Sequence, residues 1–146
     1  MNAGNLHSYV KSVVAIRPVS LATAAVGTYG IAVDASGGYD RAQFLITVGA
    51  MTTTTGQFGC KVRNSEATAG TYVDYTSANI TKITAPSTHA NKIYEIDVAV
   101  SGSKPFLKLY GTATKTVVVS AICNLYRGTK KLPLATSPFK ESIVKP

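Results

Sequence analysis

The chain has 146 residues and a formal net charge of +8, with 45% hydrophobic and 15% charged residues. That fits one domain with a sizeable core, too apolar for a disordered chain and too poor in charge for long exposed helices. No stretch nears the roughly 20 apolar residues of a membrane-spanning helix. The N-terminus carries Lys11 and Arg17 but no uninterrupted apolar core. The expectation is therefore a product made in a cytoplasm, with no membrane partner.

Tyr9–Leu21 places Val10, Val13, Val14, Ile16 and Val19 around Pro18. It reads as an irregular edge strand, because proline cannot donate to a ladder. Ala22–Gly27 reads as a bend, Tyr29–Val33 as a short strand and Asp34–Gly38 as a turn. Next, Ala42, Phe44, Ile46 and Val48 alternate with Arg41, Gln43, Leu45 and Thr47. After Gly49 and the polar Thr52–Gly56, Phe58, Cys60 and Val62 alternate with Gln57, Gly59, Lys61 and Arg63. Side chains of a strand point to opposite faces with period two, so this predicts two half-buried strands joined as a hairpin.

Asn64–Gly70 reads as a loop, Tyr72–Tyr75 and Ile80–Ile83 as two short strands, and Pro86–Asn91 as a polar loop. Tyr94, Ile96, Val98 and Val100 then alternate with Glu95, Asp97, Ala99 and Ser101, which places the acids toward water. Ser101–Lys104 forms a tight turn before a strand over Phe106–Thr112, with Leu107 and Leu109 on one face and Phe106, Lys108 and Tyr110 on the other. Thr116–Tyr126 is apolar on both faces and should be a central strand or one covered on both sides. Gly128–Pro146 carries three prolines and no steady period; it reads as an extended tail able to dock on a neighbour.

Strands separated by turn signals, with no helical periodicity, predict an all-β, antiparallel β-sandwich of jelly-roll type with roughly eight strands. Three parts are expected: an arm and edge strand over 1–21, the sandwich over 22–127 and a basic tail over 128–146. From Gly102 onward, eight Lys and Arg face one acid, Glu141. This basic third points to an acidic partner surface or to nucleic acid.

Little here suggests bond-making chemistry. Phosphate loops, zinc spacings and nucleophile elbows are absent from the sequence, and no catalytic residue, cofactor or metal is expected. His7 and His89 lie in polar segments and read as loop histidines. Asp34 and Asp40 flank a turn, where aspartate bonds its own backbone; calcium is the alternative. Cys60 and Cys123 read as buried free thiols, with a cross-strand disulfide as the alternative. The eight tyrosines serve packing, a subunit interface or sugar stacking. Phe106, Lys108 and Tyr110 share one strand face, like the stacking platforms of single-stranded nucleic-acid binders, but three residues are few and nucleic acid is not expected as a partner.

With these elements laid out, the chain resembles the capsid decoration, or cement, proteins of tailed bacteriophages. The likeness rests on Gly38-Tyr39-Asp40-Arg41-Ala42-Gln43-Phe44 leading into Val48-Gly49-Ala50, and on Phe58–Ser65. It continues through Lys104-Pro105-Phe106-Leu107-Lys108-Leu109, Val117–Leu125 and Arg127-Gly128-Thr129-Lys130-Lys131-Leu132-Pro133, covering residues 29–134. The resemblance implies a non-enzymatic virion protein on the outer capsid surface, commonly a homotrimer, that clamps adjacent major capsid protein subunits.

On that reading, the expected capsid contacts are Tyr9, Lys11 and Arg17 in the arm and Lys130, Lys131, Leu132, Leu134, Phe139 and Lys140 in the tail. Phe106, Tyr110 and Tyr126 are the expected self-association residues. The alternatives are a phage tail or adaptor component and a carbohydrate-binding β-sandwich module.

Overall fold

The computed structural model describes residues 10–21, 30–51, 55–84, 92–127 and 139–144. They form β1 (Val10–Leu21), β2 (Val33–Asp34), β3 (Arg41–Met51), β4 (Gln57–Ser65), β5 (Val73–Thr84), β6 (Lys92–Ala99), β7 (Phe106–Ala113), β8 (Val117–Tyr126) and β9 (Phe139–Val144). One sheet runs β1-β8-β3-β6-β9 and the other β2-β7-β4-β5. The first strand therefore pairs with the eighth, the second with the seventh, the third with the sixth and the fourth with the fifth. This nested pairing, distributed over two sheets, is the double Greek key of a jelly roll. The all-β, antiparallel expectation holds, with one addition: β9 lies parallel to β6, with Phe139 opposite Ile93 and Val144 opposite Asp97. Part of the anticipated free tail is thus an edge strand of the sandwich.

The period-two alternation identifies the inner faces well. Ala42, Phe44, Ile46 and Val48 of β3, Ile96 and Val98 of β6, and Val119, Cys123 and Leu125 of β8 are buried. They meet Phe58, Cys60 and Val62 of β4 and Leu107 and Leu109 of β7 in the same core. Each large apolar side chain enclosed this way contributes about 1.5–3 kcal/mol.

Three expectations are corrected. β3 and β4 are not a hairpin: they lie in opposite sheets, and the direct partner of β4 in sequence is β5. Alternation reports only that each strand has one buried face, and both faces here point into one core. The two short segments expected over 72–83 are one strand, β5, whose pairing with β4 slips between Phe58 and Cys60 and between Lys61 and Arg63. Those irregularities interrupt the alternation that would have marked a single strand. Finally, Glu95 and Asp97 do not face water; both are fully buried.

Other readings hold. β1 is an edge strand with register shifts between Val14 and Ile16 and between Ile16 and Val19. β8 is central, between β1 and β3. The Asp34 carboxylate accepts the Ser36 amide at 2.8 Å, closing the turn that ends at Gly38 with φ +78°. Lys104 donates its amide to the Ser101 carbonyl at 3.1 Å, closing the turn before β7. Cys60 and Cys123 are buried free thiols. Gly30 bridges to Ile16 of β1 while lying so close to β7 that a Cβ would fall on the Leu109 carbonyl oxygen. The backbone of one sheet approaches the other there, which only a residue without a side chain permits.

Candidate interaction surface

The two outer faces of the sandwich differ in chemistry. On the four-stranded sheet, Lys61 of β4 lies opposite Tyr110 of β7, and Arg63 lies opposite both Lys108 and Asp74. The Arg63 guanidinium sits 4.1 Å from the centroid of the Tyr110 ring, and the Lys61 ammonium 5.7 Å from it. Both cations also bond Asp74, Arg63 at 2.6 Å. Lys108 lies 5.5 Å from the Tyr72 ring, whose hydroxyl donates to the Thr68 carbonyl at 3.0 Å. The side-chain bonds from Lys61 and then Arg63 hold the Asp74 carboxyl below its ordinary range. Partial burial pushes the Tyr72 phenol up. Cations and rings on this face are engaged with one another, which leaves the Tyr110 ring already covered rather than open for stacking.

The outer face of the five-stranded sheet falls into two parts. One part is polar and closed. The Ser12 hydroxyl of β1 donates to Asn124 of β8 at 2.8 Å, the Asn124 amide to Gln43 of β3 at 3.1 Å, and the Gln43 amide to Glu95 of β6 at 3.1 Å. Each amide accepts on its oxygen and donates on its nitrogen, so the ladder crosses four strands. Beside it, Arg41 bonds Asp97 at 2.9 Å, and the Tyr126 hydroxyl donates to the other Asp97 oxygen. Burial disfavours the charge on Arg41, but its bonds to Asp97 and Tyr126 outweigh this and leave the guanidinium pKa raised. These partners explain how the two carboxylates tolerate burial.

The other part is apolar and open. Val14 of β1 lies opposite Ile122 of β8, and Ile122 lies opposite Leu45 of β3. Val14 is 49% exposed, Ile122 45% and Val118 52%. Val14, Leu45 and Ile122, with Pro18 and Ile93, line a shallow groove across four strands. No described segment of the chain closes it.

The expected contact residues are distributed as follows. Tyr9, Lys130, Lys131, Leu132 and Leu134 lie outside the described residues. Lys11 and Arg17 are exposed on β1; bonds from Ser36, with a lesser contribution from the Lys11 charge, hold the Asp34 carboxyl below its ordinary range, and Arg17 falls in sequence between the groove residues Ile16 and Pro18. Phe139 and Lys140 open β9 at the β6 edge. Phe106 and Tyr110 are half-buried on the four-stranded sheet. Tyr126 is corrected: it is 2% exposed and bonded to Asp97, so it belongs to the interior and not to a self-association surface. The apolar character of both faces of β8 was visible in the sequence. Its continuation through Val14, Leu45 and Ile93 was not, because these residues meet only through the nested pairing.

Among the described residues, no helix is long and apolar enough to cross a membrane, and no group of three or more His, Cys, Asp and Glu side chains converges as a metal site. The strand order and the two packed sheets define the class: a jelly-roll β-sandwich. No family model and no curated protein matches the chain. Solved structures resemble it at low identity. One holds the carbohydrate-binding CBM22-1 and GH10 modules of endo-1,4-β-D-xylanase 10B from Clostridium thermocellum, complexed with xylohexaose, with TM-score 0.45 and 12% identity. The match covers 86% of this chain and 26% of that one, so the chain spans about a quarter of the xylanase structure. Another is the TNF protein Eiger of S. frugiperda, with TM-score 0.42 and 9% identity, covering 87% of this chain and 97% of that one.

Proposed function

We propose that this chain is a virion structural protein that binds the outside of a capsid shell and stabilises it by clamping adjacent major capsid subunits. The observation that carries this reading is the open apolar face centred on Val14, Val118 and Ile122, on a sandwich in which every buried polar side-chain atom among the described residues has a hydrogen-bond partner. Contiguous exposed apolar area rimmed by polar residues marks a surface that meets another macromolecule. The jelly roll supplies a stiff body, which suits a protein that acts by occupying a surface rather than by turning over a substrate. The resemblance of residues 29–134 to phage cement proteins supports the same reading. Self-association as a homotrimer, with Phe106 and Tyr110 at the contact, belongs to the proposal.

Two measurements test it. The full chain is mixed with purified shells of the capsid encoded alongside it, and co-sedimentation is read together with shell resistance to heat. Binding with a rise in the shell's melting temperature is expected. Shells that neither retain the protein nor gain stability would overturn the reading. Light scattering of the free protein should give three times the 15.3 kDa chain mass.

A further inference from the structure

We draw no further inference here: the strongest candidate, the open apolar groove on the outer face of the five-stranded sheet, lined by Val14, Leu45, Ile93 and Ile122, carries nothing beyond the reading above because nothing in the structure shows what covers it.

Discussion

The hydroxyl of Tyr126, at the end of β8, donates a hydrogen bond to the buried carboxylate of Asp97 on β6, reaching past the intervening strand β3. The same carboxylate binds Arg41 of β3, so three strands converge on one buried charge pair. Removing Asp97 leaves a guanidinium with 10% of its side-chain surface exposed and no counter-charge from this partner. Asp97→Ala should cost about 3–5 kcal/mol. Tyr126→Phe removes one bond to a charged acceptor and should cost about 1.5–3 kcal/mol. Both follow from urea denaturation curves. Tyr126→Phe should leave oligomeric mass unchanged, because the ring is interior.

The thiols give a second test. Burial pushes the Cys60 thiol up to about 12, and burial, followed by the Asp97 charge, pushes Cys123 up as well. At pH 8 neither should react with a thiol reagent until urea unfolds the chain, when both should. The sign with pH follows. Between the unfolded value near 9.0 and the folded value, the native state holds protons that the unfolded chain has lost. Stability is therefore full below about pH 9 and falls as pH rises toward about 12. Cys60→Ala should flatten part of that decline, read as urea midpoints at pH 8 and 10.5.

Asp74 moves the opposite way. Its folded carboxyl lies below the ordinary 3.8 because Lys61 and Arg63 bond the charged form. The contribution is present above the unfolded value and is lost as pH falls through the lowered folded value. The group is exposed, so solvent screens it and the effect is small. Asp74→Asn should leave the urea midpoint at pH 7 close to wild type and make it less sensitive to acid between pH 5 and pH 2.

Gly30 tests the approach of the two sheets. A methyl group there meets the Leu109 carbonyl oxygen, which is backbone and cannot rotate aside. Gly30→Ala should cost about 1–3 kcal/mol through forced separation of β1 and β7. Gly102→Ala, whose Cβ meets nothing within 4 Å, is the matched control and should be near neutral by thermal melting.

The sandwich class, the edge character of β1 and the central place of β8 were legible because each is written in local pattern. Pro18 interrupts a strand, and Val117–Leu125 is apolar at both parities. The sheet to which a strand belongs is not local. β3 and β4 alternate in the same way whether they pair with each other or face each other across a core. The fate of Glu95 and Asp97 was hidden for a related reason. Their partners Gln43, Arg41 and Tyr126 are distant in sequence, so a polar parity read as solvent. The groove follows the same rule: β8 announced its second apolar face, but Val14 joins it from more than a hundred residues away.

The nested pairing also constrains how the protein is made. Val10 finds its partner at Tyr126, and Leu21 at Val117, so the outermost pair of the nested strands joins segments far apart in the chain. Topologies dominated by such distant pairings fold slowly. A ribosome must release the chain through Tyr126 before β1 can be covered along β8, and until then a twelve-residue strand waits with an open edge. The register shifts and Pro18 within β1 then have a further value: they make the waiting strand a poor template for neighbouring nascent chains at the stage when the fold cannot yet protect it.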